Sequence, residues 1–203
     1  MPELKRPDIN RKLSMKALSI ANSYVDGYSA LLFMREIFEI QKDNPKKYIS
    51  YSEFFNLILL VCRKSVIISL SNILIRNKDS ITLADFEIFL ENNYNHELDN
   101  GYYKDLLASI KLILIAYSDD SDFVKELKFI RDKYVAHIDK SAFHSPKIPE
   151  YQINMCEFQA AFDVIGSFVG CSVGALGINP ELINFHLLDC ANLQFRLIVD
   201  KLE

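Results

Sequence analysis

Residues 122–140 read DFVKELKFIRDKYVAHIDK, and the spacing of their apolar side chains indicates how the chain folds. On a helical wheel, at about 100° per residue, these side chains share one face. That face is formed by Phe123, Leu127, Ile130, Tyr134 and Ile138, with Val124 and Val135 widening it. Because such an apolar face has to be buried, the segment predicts an amphipathic helix that packs against other helices.

Similar helical spacing recurs along almost the whole chain, and no stretch alternates between apolar and polar residues for long enough to predict a sheet. The fold class is therefore predicted to be all-α. The chain has 203 residues, of which half are hydrophobic and a quarter are charged. We expect a single domain that covers residues 1–203.

The first two helices are predicted from apolar spacing and turn residues. The first runs from about residue 8 to residue 42, with a kink or break near Gly27. The second covers residues 52–75, and either Ser50 or Ser52 is expected to cap its N-terminus.

The later helices carry clearer capping signals. Thr82 is expected to cap a short helix, with Asp85 as its acidic partner in the first turn. Asn154 and Glu157 predict a capping box. The remaining helices are predicted at residues 102–117, at 122–140, from 154 to a C-terminal Gly177, and from Asn179-Pro180 onward, with a loop over 141–153.

The charge distribution argues against general attraction to nucleic acid, since the net charge is −4 and the pI is about 5.6. Residues 125–147 are locally basic, with six lysines or arginines and three acids. Any RNA binding is therefore expected to be local, and the alternative is an ordinary solvated helix face.

The cysteines and histidines predict neither a metal site nor a cofactor. The cysteines, at positions 62, 156, 171 and 190, form no CxxC pair, so we expect free and mostly buried thiols in a reducing cytosol. The N-terminal residues lack the apolar run of a secretory signal, which favours a cytoplasmic location. Three histidines stand in no metal-binding pattern: His96, His144 and His186.

The uncharged segment over residues 164–178 has glycines at positions 166, 170 and 174. This spacing lets helices approach closely, and it is frequent in membranes. The segment is shorter than the roughly 18 to 20 residues that a spanning helix needs. We expect close packing of two helices and no membrane.

Two ionisable residues interrupt the apolar face of residues 122–140. Arg131 and His137 each lie about 60° from Tyr134 on the wheel, where an unpaired charge would be costly. On one ideal helix they do not converge, whereas a two-fold partner would bring two copies of each into one cleft. The alternative is structural, with His137 hydrogen-bonded at the edge of the core and Arg131 paired with a carboxylate.

The segment Arg131-Asp-Lys-Tyr-Val-Ala-His137 resembles the signature of the HEPN superfamily, an Arg and a polar residue followed by His after four to six intervening positions. Its context is similar to the AbiU-like abortive-infection branch of that superfamily, over roughly residues 53–140. The resemblance implies a multi-helix antiparallel bundle of HEPN type, here with extra N- and C-terminal helices. It also implies a homodimer and metal-independent endoribonuclease activity in phage defence or toxin–antitoxin systems.

The resemblance implies catalytic roles for Arg131 and His137. An imidazole suits removal of a proton from the RNA 2′-hydroxyl, and a guanidinium suits the charge that develops on phosphorus-bound oxygens. Asp132 faces away from the apolar stripe, so we expect at most a structural role for it. Lysines that could support catalysis or bind RNA are Lys133, Lys140 and Lys147, although each could equally be a solvated surface residue.

Possible partners are RNA, a second copy of the chain, and an antitoxin or other defence protein. Superfamily members paired with a nucleotidyltransferase antitoxin often have Tyr two residues after the His, whereas this chain has Asp139. Silencing by modification at that position is therefore not expected. The alternative function is a non-catalytic helical dimer that binds protein or nucleic acid.

Overall fold

The computed structural model describes residues 6–93, 101–132 and 154–183, together with Phe185, Leu188 and Lys201. Within these residues no strand occurs, so the predicted all-α class is confirmed. The helices are α1 (Arg6–Asp43), α2 (Pro45–Ser50), α3 (Ser52–Leu74), α4 (Leu83–Asn93), α5 (Gly101–Ala116), α6 (Asp122–Ile130) and α7 (Met155–Leu176), followed by a 3₁₀ turn over Pro180–Leu182.

The capping signals around α4 and α7 are confirmed. The Thr82 hydroxyl accepts a hydrogen bond from the Asp85 backbone N–H at 3.2 Å, and the Asp85 carboxylate accepts one from the Thr82 backbone N–H at 3.1 Å. Asn154 and Glu157 form the equivalent pair, at 3.1 and 2.8 Å. These reciprocal bonds satisfy backbone donors that a helix start would otherwise leave unpaired.

The C-terminal end of α7 is also as predicted. Gly177 has a φ of 59°, in the left-handed region that glycine adopts without steric cost, and its N–H bonds back to the last turn of α7. Asn179 then caps the 3₁₀ turn by accepting a hydrogen bond from the Glu181 N–H at 3.1 Å.

The predicted serine N-cap of α3 is wrong, because a short helix precedes α3. Asn44 accepts a hydrogen bond from the Lys47 N–H at 3.2 Å and Pro45 begins α2, so this helix starts with Asn-Pro, as the 3₁₀ turn at Asn179 does. The Ser50 hydroxyl donates to the Lys46 carbonyl inside α2. Tyr51 therefore occupies the N-cap position of α3, without a side-chain hydrogen bond.

The predicted break near Gly27 is also wrong, because α1 continues through this residue as one helix of 38 residues. Gly27 lies where α1 meets both α3 and α7. A Cβ atom at this position would lie 2.5 Å from the Ser69 Cβ and 2.6 Å from the Phe162 Cζ. Gly27 therefore permits close packing of three helices and does not end the helix.

The core is organised around α1, which packs along α3 and α7 and also contacts α2 and α4; α5 packs on α4 and α7, and α6 packs on α3. At the contact between α1 and α7, the rings of Tyr24, Tyr28 and Phe162 lie within 6 Å of one another. Burial, followed by the nearby Tyr28 and Asp163, raises the pKa of Tyr24 to about 12. An all-α bundle is thus held together by a core that crosses most of its helices.

The glycine spacing of α7 is only partly explained by helix packing. A Cβ atom at Gly166 would lie 2.6 Å from the Tyr24 hydroxyl oxygen, so α1 does approach closely there. At Gly170 and Gly174 an added Cβ would meet no atom within 4 Å in the part of the chain that the structure describes, so the predicted close packing is not found there for these two glycines. Among the described contacts, Gly166 alone of the three glycines permits a close approach.

The cysteines differ in exposure. Cys62 is buried, and burial raises the pKa of its thiol to about 11. Cys156 and Cys171 are exposed on α7, so the prediction of buried thiols is wrong for them, and Cys190 lies outside the described residues. Most exposed residues of α7 are uncharged too, so the amino-acid composition of this helix could not show which of its positions face the core.

Two helices, α3 and α7, are long and apolar enough to cross a membrane by length and composition alone. Within their most apolar windows, 44% and 33% of the residues are buried in the bundle. Core helices of soluble proteins have the same features, and the described structure is compatible with a soluble protein.

Candidate functional site

The helix that carries Arg131 is fixed at its N-terminus. The Ser121 hydroxyl caps α6 by accepting a hydrogen bond from the Val124 N–H at 3.3 Å, and it donates to the Ser118 carbonyl at 2.8 Å. The Phe123 ring packs edge to face with Tyr117 and with Phe158, at centroid distances of 5.3 and 6.3 Å. These contacts anchor α6 against the end of α5 and the start of α7.

The apolar face predicted for this helix is confirmed as far as the structure describes it. Val124, Leu127 and Ile130 are buried, and Phe123 is partly buried. On the opposite side Phe129 remains half exposed. The buried face sets the rotation of α6, so the direction in which Arg131 leaves the backbone follows from the packing of the preceding turn.

The backbone remains helical beyond the last residue of α6. Arg131 has φ −56° and ψ −51°, and its N–H is shared between the carbonyls of Leu127 and Lys128. At Arg131 and Asp132 the helix widens into a π-helical turn. Such turns are rare and occur frequently at functional sites.

The side chains of Arg131 and Asp132 form an ion pair. The Arg131 Nε donates to the Asp132 Oδ1 at 2.8 Å, and Arg131 Nη2 lies 2.7 Å from the same oxygen. The Arg131 side chain is 24% exposed and that of Asp132 is 56% exposed. The charge of Arg131 is thus compensated by the next residue in the chain, which agrees with the structural role expected for Asp132.

The ion pair leaves Arg131 able to bind a further anion. A guanidinium has five N–H donors, and two of them are directed at Asp132. Among the described residues, no other acceptor bonds to this side chain, and nearly a quarter of it reaches solvent. Planar donors of this kind contact two phosphate oxygens at once. Arg131 is therefore oriented, partly exposed and chemically suited to a phosphate group.

Several predicted site residues lie outside the described residues, so their placement stays a prediction. The structure therefore brings Arg131 and Asp132 together and does not test the approach of Arg131 to the imidazole. The residues concerned are Lys133, His137, Lys140 and Lys147, together with the loop over 141–153.

An open pocket of about 420 Å³, which no sequence pattern predicted, lies between α1 and the start of α4. Lys16 Nζ lies 5.6 Å from the centroid of the Phe89 ring, a cation–π distance. The Ser80 hydroxyl at this pocket is buried and has no hydrogen-bond partner among the described residues. No residue of α6 lines this pocket.

The carboxylate that lines the same pocket, Asp85, is already hydrogen-bonded. Burial disfavours ionisation of Asp85, but hydrogen bonds from Thr82 and Arg76 outweigh it and lower the pKa of this carboxyl. Within the described ranges, no group of three His, Cys, Asp or Glu side chains is arranged to hold a metal ion. Arg131 and Asp132 therefore remain the best-defined candidate site.

Comparison of the chain with protein-family models, with curated proteins and with solved structures finds no match. The features of the chain that indicate a function are therefore the motif and its local geometry.

Proposed function

We propose that the chain is a metal-independent endoribonuclease of HEPN type that acts in phage defence, by abortive infection or as a toxin. The observation that carries this proposal is the motif from Arg131 to His137, which begins on an anchored helix with a guanidinium that is oriented and partly exposed. The π-helical turn at the first two motif residues adds support, because such turns are concentrated at functional sites.

The proposed reaction needs only RNA and two side chains. His137 removes the proton of the 2′-hydroxyl, and the resulting oxygen attacks the adjacent phosphorus, breaking its bond to the 5′-oxygen of the next nucleotide. That oxygen leaves with a proton donated by an imidazolium. The products are a 2′,3′-cyclic phosphate and a 5′-hydroxyl, so atoms and charge balance without a metal ion.

Arg131 stabilises the negative charge that develops on the non-bridging oxygens, through the N–H donors that Asp132 does not occupy. Asp132 acts as a positioning residue, because its carboxylate limits the rotation of the guanidinium. Lys133, Lys140 and Lys147 bind neighbouring phosphates of the substrate in this proposal.

The site is proposed to form between two copies of the chain. One ideal helix separates Arg131 and His137 by about 120° and roughly 9 Å of rise, whereas a two-fold axis supplies each site with residues from both copies. An antitoxin or another defence protein would then regulate the dimer.

A second candidate function is a non-catalytic helical dimer that binds protein or nucleic acid. The ion pair between Arg131 and Asp132 favours it, because a paired arginine at the end of a helix is also a common structural element. The two candidates differ in whether RNA is cleaved when His137 is intact.

The experiment that separates them is cleavage of a mixed RNA pool in EDTA by the wild type, His137→Ala and Arg131→Ala. Each variant should lower the rate by at least about a hundredfold, since each removes a group that acts on the reacting phosphate. Lys128→Ala is the matched control, because it removes an exposed positive charge from the same helix outside the motif.

Three outcomes are informative. Loss of activity in both motif variants, with cyclic phosphate ends and an active Lys128→Ala control, supports the ribonuclease. Full inhibition of the wild type by EDTA contradicts the proposed mechanism. An inactive wild type, or motif variants as active as the control, favours the binding protein instead. Circular dichroism of every variant verifies that it is folded.

A further inference from the structure

The outward side of α3 is apolar although it lies in solvent. Its other side is buried against the bundle through residues such as Phe55, Cys62, Val66 and Leu70. The exposed apolar side chains follow helical spacing and lie on one side of the helix, the outer face of α3; four of them are contiguous, and the fifth lies two turns further along. The outer face consists of Phe54, Leu57, Leu60, Val61 and Ile68.

The outer face is larger than isolated exposed residues would explain. Leu57 and Val61, one turn apart, are 61% and 58% exposed, and Ile49 just before α3 is 69% exposed. Monomeric proteins rarely expose continuous apolar patches of more than a few hundred Å². The buried side of α3 already packs against the core, so burial of the outer face requires a separate partner.

Charged residues lie at both ends of the apolar centre of the outer face. Residues 54–62 are uncharged, with Glu53 directly before them and Arg63 and Lys64 directly after. On the helical wheel Arg63 lies about 60° outside the outer face, and it is engaged in an interaction of its own. On the helical wheel Glu53, Leu57, Leu60, Val61 and Lys64 lie within roughly 100° of one another. Among the described residues neither Glu53 nor Lys64 has an ion-pair partner.

Two pairs of residues on the outer face have the same midpoint along the axis of α3. Glu53 and Lys64 are equally distant along α3 from the point between Ile58 and Leu59, and so are Leu57 and Leu60. A two-fold axis through that point would place Glu53 opposite Lys64 of a second copy, twice, and Leu57 opposite Leu60. The outer face is therefore complementary to itself when two copies run antiparallel.

We propose that the outer face of α3 binds the same face of a second copy, forming an antiparallel two-fold helix pair. Leu57, Leu60 and Val61 form its apolar centre, and the pairs between Glu53 and Lys64 fix its register. Ile68 adds apolar surface further along the same side of α3, and the exposed Ile49 of α2 precedes the helix. This added surface matters because a stable dimer buries roughly 800 Å² on each partner.

A lipid surface is the less favoured occupant. Helices that lie on membranes combine an apolar face with a polar face rich in lysine and arginine. The side of α3 opposite its outer face is buried in protein, and an acid, Glu53, borders the apolar centre at one end. The outer face thus has one acid at one end and one base at the other. This arrangement pairs with an antiparallel second copy better than with an anionic membrane.

The inference goes beyond the proposed function, because it concerns a contact that forms whether or not RNA is cleaved. The proposed dimer contact and the candidate site are linked by α6, which ends next to Arg131 and packs on α3. A fixed helix pair along α3 would therefore also fix the separation between the two copies of Arg131.

The test is the molar mass of the full chain in solution, measured by light scattering over a wide range of concentrations. The wild type should approach twice the chain mass of 23.4 kDa. The double variant L57E/V61E should remain at the chain mass, because it would bury two negative charges of each copy, without a positive partner, in the apolar centre of the helix pair. L112E/I115E is the matched control, since these apolar residues of α5 are 68% and 74% exposed, and it should remain dimeric.

A charge exchange tests the register. E53K and K64E should each weaken the dimer several-fold, and the double exchange E53K/K64E should restore it, because opposite charges face each other again. A monomeric wild type, or a dimer unaffected by L57E/V61E, overturns the proposal. So does a monomer whose binding to vesicles of phosphatidylcholine and phosphatidylserine is lost in L57E/V61E. Because no RNA is present, an inactive ribonuclease would leave these results unchanged.

Discussion

The guanidinium of Arg131 directs both Nε and Nη2 at a single oxygen of Asp132, at 2.8 and 2.7 Å. The two residues are adjacent in the chain, so the contact needs no other element of the fold. It places a negative charge beside a group that is proposed to bind phosphate. Asp132 thereby limits the rotation of Arg131 and at the same time competes with an anionic ligand for it.

This relationship predicts a split effect of Asp132→Asn on RNA cleavage. The KM for RNA should fall, because a negative charge close to the substrate phosphate is removed. The kcat should fall by about tenfold, because the guanidinium is no longer held in one orientation. Steady-state cleavage of a fluorescent RNA measures both constants. A variant with both constants unchanged would show that Asp132 does not position Arg131.

Gly27→Ala should destabilise the protein by about 1–3 kcal/mol, although alanine favours helices, because the added Cβ would overlap Ser69 and Phe162. Gly170→Ala is the matched control, since it is also inside a helix but meets no atom within 4 Å. It should be up to about 1 kcal/mol more stable than wild type. Urea unfolding monitored by circular dichroism measures both. Equal effects of the two substitutions would contradict the close packing described at Gly27.

Asp85→Asn should lower the free energy of unfolding by about 1 kcal/mol at neutral pH, because the α4 cap loses a charged acceptor. The pKa of Asp85 is lowered in the folded protein, so its contribution is complete above the unfolded pKa of about 4. The contribution is lost as the pH falls through the folded value, below 3.8. The difference from wild type should therefore shrink between pH 4 and more acidic conditions.

Asp79→Asn is the control for this pH dependence. It removes the same charge from an exposed position in the loop before Thr82, where it does not cap α4. Its unfolding free energy should follow that of the wild type at every pH. If the difference for Asp85→Asn stayed constant into strong acid, the carboxylate would not be the stabilising group.

Thiol labelling should distinguish the cysteines in a Cys190→Ser background. Cys156 and Cys171 are exposed and should react quickly with maleimide at mildly alkaline pH. Cys62 should react only on unfolding, because it is buried and its pKa is raised to about 11, which leaves little thiolate. Mass spectrometry counts the labels. Rapid labelling of Cys62 in the folded protein would show that α3 separates from the bundle.

Local sequence patterns predicted those parts of the fold whose interactions join neighbouring residues. The capping pairs at Thr82 and Asn154, the end of α7 at Gly177 and the apolar face of α6 all depend on residues within about one helical turn. Asn44-Pro45 is the same kind of signal and marks the start of α2, a short helix that apolar spacing did not predict.

In the candidate site, too, the local pattern was predictable from the sequence and the side-chain and backbone geometry was not. The motif and the position of Arg131 beside a buried face follow from the sequence, and so does the outward direction of Asp132. The closure of the ion pair and the π-helical turn depend on rotamers and backbone hydrogen bonds that helical spacing does not encode.

The sequence by itself thus determined the helical class, most helix ends and the motif, because short-range hydrogen bonds and apolar spacing specify them. The tertiary structure alone decided that α1 continues through Gly27, that Gly166 but not Gly170 meets another helix among the described residues, and which side of α3 stays in solvent. Those features depend on residues far apart in sequence, whose approach is fixed only when the helices pack together.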